Sequence, residues 1–188
     1  SEDFWESIWH YFQLKAHDTY LSILEVNTQD IAASRWFTRS TLNFAEHVFR
    51  HKSPDRPALL HITSDHRVVE LSWTSLENDV AAVATWLRLH GIGPGKVVMG
   101  ILPNRPQAVT AFLATAAVGA TWASAPQCTC DRALTNFITT QQPAVLITDK
   151  AEQHIELLGG GLSTTDFHVI DTSASAFQQA GVVSWQDV

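Results

Sequence analysis

"KVVMGILPNRPQAVTAFLATAAVGATWASAP", residues 96–126, decides the fold. It opens on an apolar run, turns through Pro103 and Asn104, and carries no charged side chain from Pro106 to Pro126. A membrane-spanning helix needs about 20 strongly apolar residues in a row. Here Thr110, Thr115, Gly119, Thr121, Ser124 and Pro126 interrupt the run. Val109, Phe112, Leu113 and Ala116 also fall on one helical face, a stripe that a lipid-bathed helix would not need. The stretch therefore reads as a buried strand, a buried helix ending at Gly119 and a second short strand, "ATWAS". A strand apolar on both faces belongs at the centre of a parallel sheet.

Toward the carboxyl side the alternation continues. Leu134, Phe137 and Ile138 mark a helix that stops before Pro143, and "AVLIT" is the next strand. A brief helix over residues 151–158, a "GGG" break and the strand "FHVID" follow. Toward the amino side, "ALLHIT" and "RVVELSW" are β-rich runs joined by the polar turn "SDHR", which reads as a hairpin. Thr74 and Glu77 have the spacing of a capping box. Leu76, Val80, Val83, Ala84 and Leu87 then mark a helical stripe that ends at Gly91, with Ile92 placed for the contact that follows such a stop. Strand and helix alternate through short loops, so the expected class is α/β, a mostly parallel sheet with flanking helices.

Before the hairpin lies an aromatic helical arm. In "SEDFWESIWHYFQL" Ser1 can cap a helix, Glu2 and Asp3 suit its positive end, and Trp5, Ile8, Trp9 and Phe12 share a face. A second helix is expected from Asn43 to His51. The arm is too thin to fold alone and is expected to pack on the larger body. The expected division is a helical extension over residues 1–52 and a partial α/β domain over 53–188. The chain begins at Ser1 and stops at "VVSWQDV", ends that look cut.

The formal charge of −7 and the scatter of 12 basic residues argue against nucleic acid, which requires a concentrated Lys/Arg surface. Cys128 and Cys130 are one residue apart, too close for an ordinary unstrained disulfide, and suggest a reducing compartment, the cytoplasm. No signal peptide or membrane span is visible.

Several patterns suggest chemistry, and each has a plainer structural reading. "GIGPGK", residues 91–96, looks like a phosphate cradle, but a cradle needs a strand before the glycines and a helix after them. Here the order is reversed, so a helix stop and tight turn is the better account. "LPNRP" does follow a strand, so a ligand could sit at that strand's carboxyl end. Without glycine it offers no phosphate a close approach, and Asn104 reads as a helix cap with Pro106 in the first turn. "GGGLSTT" lacks a following lysine and reads as a flexible loop. His47 and His51 with Cys128 and Cys130 could make a Cys2His2 site, but the cysteine spacing is too short for a metal module. No Gly-x-Ser-x-Gly nucleophile motif is present. No metal ligand and no catalytic residue is assigned.

The segment "LSWTSLENDVAAVATWLRLHGIGPGKVVMGILPNRPQAVTAFLATAAVGATWASAP" resembles the early part of acyl-adenylate-forming (AMP-binding) enzymes, a group that includes acyl-CoA synthetases, luciferases and nonribosomal adenylation domains. Three patterns coincide in order: "(W/Y)-x-x-L" at a helix entry, "G-x-x-x-G-(D/K)-x-V" at a turn and strand, and "LPN-x-P" before an Ala-rich helix ending in "GA". In the arm, "FWESIWHYF" and "RWFTRSTLNFAEHVF" resemble the amino-terminal extension of the acetoacetyl-CoA synthetase branch. Trp36-Phe37 and Leu42-Asn43 are shared with acetate-activating relatives, and "NFAEH" sits nearer the acetoacetate branch. The resemblance runs from Phe4 to about Trp185.

The resemblance implies a ligase that joins a carboxylate to ATP with Mg2+, releases pyrophosphate, and passes the acyl group from the adenylate to CoA. It implies an amino-terminal subdomain of the adenylate-forming fold, with acetoacetate, ATP and CoA as small-molecule partners of the whole enzyme. It also places the phosphate loop and the mobile-domain lysine outside this chain. The piece alone is therefore expected to be inactive and to bind none of these ligands tightly. After "ASAP" the relatives carry an acidic-Phe-Gly sequence and later Asp-Arg-Phe, whereas this chain has Gln127-Cys128-Thr129 and Asn136-Phe137. By resemblance Cys128 and Thr129 stand where relatives approach CoA or the acyl pocket; the competing reading is a structural loop. Two alternatives remain for the function: a piece of an acetyl- or other acyl-CoA synthetase, and a stand-alone, non-catalytic α/β binding module.

Overall fold

The computed structural model describes residues 2–157, 167–173 and 181–188, so Ser1 and the "GGGLSTT" loop lie outside it. Two compact units, residues 1–50 and 51–188, are distinguished by their internal contacts.

The first unit holds α1 (Glu2–Tyr11), the antiparallel pair β1 (Leu24–Glu25) and β2 (Arg35–Trp36), and α2 (Phe44–Phe49). Its centre is a knot of rings. Trp9 lies 4.5 Å from Phe37 and 5.3 Å from Tyr20 between centroids, and Tyr20 meets Phe37 edge-on. The expected stripe on α1 is only partly used: Ile8 and Trp9 are half-buried, but Phe12 falls beyond the helix end and packs against Tyr11 instead. Asn43 caps α2 by accepting the Glu46 N–H. The helix ends two residues before His51. His47 is committed locally, with Nδ1 3.0 Å from the Asn43 carbonyl and Nε2 accepting the Lys15 N–H at 2.9 Å.

The second unit opens with the hairpin β3 (Leu59–Ile62) and β4 (Val68–Leu71), paired Leu59 to Leu71 and Ile62 to Val68. α3 (Trp73–Leu89) follows at once. Its cap is Ser72, not Thr74: Ser72 is in an extended conformation and its hydroxyl accepts the Ser75 N–H at 3.1 Å. The strand ends at Leu71, so the helix must start two residues before the expected box, and Glu77 instead pairs with Lys52 at 2.6 Å. The helix terminates as its glycine suggests. Gly91, at φ +70°, donates to the Arg88 carbonyl at 3.0 Å, Ile92 donates to Leu87 at 2.9 Å, and the Ile92 side chain is buried.

Five parallel strands form the sheet: β5 (Val97–Ile101), β6 (Thr121–Ser124), β7 (Val145–Thr148), β8 (His168–Asp171) and β9 (Val182–Ser184), in spatial order β6-β5-β7-β8-β9. The helices α4 (Pro106–Ala117), α5 (Asp131–Gln141) and α6 (Ala151–Leu157) connect them. The last strand, β9, carried no distinct sequence signal. Met99, Ile101, Leu146 and Val169 face α5 and α6, where they pack with Leu134, Ile138 and Ala151. The opposite face meets α3 and α4, with Trp86 stacked on His90 and edge-on to His168.

One buried polar contact ties β7 to α6. The Thr148 hydroxyl accepts the Lys150 N–H at 3.0 Å and shares a 2.8 Å hydrogen bond with His154 Nδ1, both side chains being buried. Burial, then the Lys150 charge, pushes the His154 pKa down, against a smaller upward pull from Asp149 and Asp131.

Two expectations follow from these contacts. In urea unfolding, Ser72→Ala should cost about 1 kcal/mol, the usual loss of a helix cap, while Thr74→Ala should stay within about 0.5 kcal/mol; the reverse ranking would restore the capping box. The second concerns pH. An unfolded histidine takes up a proton near pH 6.5, which the buried His154 resists. Stability is therefore full above that pH and is lost as the pH falls toward the lower folded value. His154→Gln should make the decline between about pH 7 and 5 shallower without abolishing it, because burial lowers the His168 pKa as well. An unchanged slope would remove His154 from the account.

Candidate functional site

Strand order fixes where a ligand can enter. β5 runs through α4 to β6 on one side, whereas β7 runs through α6 to β8 on the other. The loops leaving the carboxyl ends of β5 and β7 therefore diverge, and open α/β sheets bind ligands at such switch points.

Beside this point lies a cleft of about 520 Å³. The loop after β5 supplies Leu102 and Asn104, α4 supplies Val109 and Phe112, and β6 supplies Trp122 and Ser124, continuing to Pro126. None of its described lining residues is charged. Its floor depends on Gly100: a Cβ at this residue would stand 2.3 Å from Trp122 Cη2 and 2.5 Å from Cζ2. Only glycine lets the indole lie across the strand, where it also meets Phe112 at 6.3 Å.

Asn104 is not the cap of α4. Arg105 holds that position in an extended conformation with no side-chain cap bond, and Pro106 starts the helix as expected. Proline restricts the residue before it to extended backbone, which moves the boundary one residue along. Asn104 is thereby left on the cleft wall, exposed.

Cys128 and Thr129 sit in a tight turn that continues from the cleft wall, with the Thr129 N–H donating to the Pro126 carbonyl at 3.0 Å. Cys128 is exposed and Thr129 half-buried. Gln127 anchors the turn by donating from its amide to the Asp149 carboxylate, across to the loop after β7. Cys130, also exposed, begins α5 without a side-chain cap bond. Phe137, on α5, packs against the core rather than the cleft.

The described residues do not form a metal–triphosphate site. The turn at residues 91–96 lies at the amino end of β5, the end opposite the cleft, and Gly91 and Gly95 serve it with φ of +70° and +83°. Among the described residues no group of three or more His, Cys, Asp or Glu could hold a metal ion. None of the described helices is long and apolar enough to cross a membrane. A wider groove of about 750 Å³ near the start of α3 mixes Lys52 and Arg56 with Asp55 and Glu70, so it offers no field of one sign.

Sequence reasoning reached the strand end but missed Gly100 and Trp122. The available signal was a glycine inside a strand, which marks a close approach by another group.

Comparison with known proteins agrees with this geometry. Acetoacetyl-CoA synthetase of Caenorhabditis elegans is 38% identical over 122 residues, 65% of this chain and 17% of that protein. The Danio rerio acetoacetyl-CoA synthetase is 31% identical over 164 residues, 83% of this chain and 24% of its own length. Among solved structures, acetoacetyl-CoA synthetase from Streptomyces lividans superposes with a TM-score of 0.88 at 32% identity, covering 98% of this chain and 30% of that one. A Brucella canis acyl-CoA synthetase, at 22% identity and a TM-score of 0.66, shares the fold. The chain thus spans about a quarter or less of the curated relatives named. The match to the AMP-binding enzyme family takes in residues 44–185, the whole sheet and its cleft included, and the chain belongs to that family.

Proposed function

We propose that this chain is the amino-terminal portion of an acetoacetyl-CoA synthetase-like ligase, with a helical extension over residues 1–52 and a partial α/β domain over 53–188. The observation that carries the reading is the likeness to the Streptomyces lividans enzyme, which extends over 98% of the chain and so includes the aromatic arm as well as the sheet. In the proposed reaction a carboxylate oxygen of acetoacetate attacks the α-phosphorus of ATP and pyrophosphate leaves. The CoA sulfur then attacks the acyl carbon and AMP leaves.

The chain's own part is to build one wall of the site. Its uncharged cleft offers no partner to an anionic group, while ATP and Mg2+ are held by segments outside it. Cys128 and Thr129, on the turn that Gln127 anchors, are placed to contact CoA or the acyl group. Exposed apolar side chains on one face of the hairpin, Leu60, Ile62 and Val68, suit a surface that further polypeptide covers. Two exposed thiols, Cys128 and Cys130, favour a cytoplasmic setting, and recovery from an oxidising compartment on cell fractionation would contradict it.

The test is pyrophosphate exchange into ATP by the full-length protein. Acetoacetate should support exchange and outcompete acetate and hexanoate, while the isolated 188-residue chain should show none. Thr129→Lys should weaken the overall reaction with CoA or with the acid. Preference for another acid would move the enzyme to a different acyl-CoA synthetase branch, and activity of the isolated chain would refute the division of labour.

A further inference from the structure

The chain's two cysteines stand one residue apart, and both are exposed. Free cysteine is ordinarily among the most buried of residues, so a pair at the surface needs a reason. We infer that Cys128 and Cys130 form a reversible dithiol switch: a low-molecular-weight disulfide oxidises the pair, and the strained bond that closes between them pulls the turn off its anchors. The effect on catalysis rests on the ligase reading above; the thiol chemistry does not.

Both thiols face the same way. Residues 128–130 run exposed, half-buried, exposed, and Cys130 is extended at φ −66° and ψ 150°. Alternate residues of an extended segment point to one side, so the two sulfurs share the solvent side with Thr129 turned in between. Both thiols are free, and Cys130 holds the cap position of α5 with no side-chain cap bond. Among the described residues no third His, Cys, Asp or Glu joins them into a metal site. The pair is left to thiol–disulfide exchange.

The exchange balances in two steps. One protein thiolate attacks a sulfur of glutathione disulfide, forming a mixed disulfide and releasing one glutathione thiolate. The other protein thiolate attacks the protein sulfur of that bond and releases the second glutathione. The pair gives up two electrons, and one glutathione disulfide is reduced to two glutathiones. Two extended residues span about 6.6–7.2 Å, whereas a disulfide holds its Cα atoms roughly 4.4–6.8 Å apart. Closure therefore draws Thr129 into a bend. In the reduced chain the Thr129 N–H donates to the Pro126 carbonyl at 3.0 Å, and Gln127 is held by Asp149. A bend at Thr129 works against both bonds. Strained, exposed disulfides are readily reduced, so excess glutathione reopens the ring.

The test uses the full-length protein, wild type and Cys130→Ser, equilibrated in glutathione buffers of graded redox ratio. Free thiols are then blocked and the peptide carrying residues 128–130 is weighed. The overall ligase reaction is assayed in the same buffers, where glutathione in excess over CoA holds the ratio fixed. Serine is itself a good helix cap, so the variant should fold and, when reduced, keep wild-type activity. The wild-type peptide should lose two hydrogens and keep no glutathione, while the Cys130→Ser peptide should keep one glutathione on Cys128. Wild-type activity should fall on the order of tenfold as the turn shifts, with the same midpoint as ring closure, and return with dithiothreitol. A wild-type peptide that stays reduced at every ratio, or that keeps glutathione instead of closing, would overturn the inference. So would closure with unchanged activity, or a fall in activity at a different midpoint. A reduced wild type that shows no acetoacetate-dependent pyrophosphate exchange would instead overturn the ligase reading, and the peptide masses would still decide the dithiol chemistry.

Discussion

Val98, Met99 and Ile101 are all fully buried although they alternate between the two faces of β5, so neither face of that strand can be left to water. Each face needs its own layer of helices. α3 and α4 cover one and α5 and α6 the other, which in a parallel sheet requires crossovers that leave the central strands in opposite directions. The switch point is therefore a consequence of burying β5. Losing any one of the large side chains that fill these layers, such as Leu87 or Leu146, both fully buried, would cost about 2–5 kcal/mol, a large fraction of what holds a domain together.

The same constraint explains why the carboxyl edge of the sheet is neutral at one place and polar at another. Over β5 and β6 the edge is built from Gly100, Trp122 and Phe112, and the result is an apolar cleft. Over β7 and β8 it is built from Thr148, His154 and Asp171, all buried and all hydrogen-bonded. Asp171 accepts from both the backbone N–H and the hydroxyl of Ser173 at 2.9 Å, so its carboxylate shapes the loop that leaves β8. Gln127 and Asp149 join the two regions. The polar half holds the loops in place, and the apolar half leaves room beside them.

Much of this was legible in the sequence because it depends on neighbours along the chain. The hairpin, the parallel strands 97–101 and 145–148, and the glycine stop at Gly91 each carry local signals that nothing distant overrides. Ser72 and Asn104 show where local reading slipped. Both lie in short polar stretches with two plausible caps, and the choice was made by where the preceding strand stops and by the backbone restriction before Pro106. The cleft itself was not readable. It needs Trp122 to meet Gly100, residues joined only by the pairing of β5 with β6, and no spacing rule announces that contact. β9 was missed for a similar reason, since its half-buried residues lack the apolar signature of the central strands.

The relatives named are more than three times as long as this chain, which is what is expected of a piece that works inside a larger polypeptide. The measurement that tests this most directly is the mass of the native protein, detected in its source with an antibody raised against this chain. A band several-fold heavier than 20.8 kDa is the result the account predicts. A band at 20.8 kDa with no larger form would contradict it and leave a stand-alone α/β module in place of a ligase.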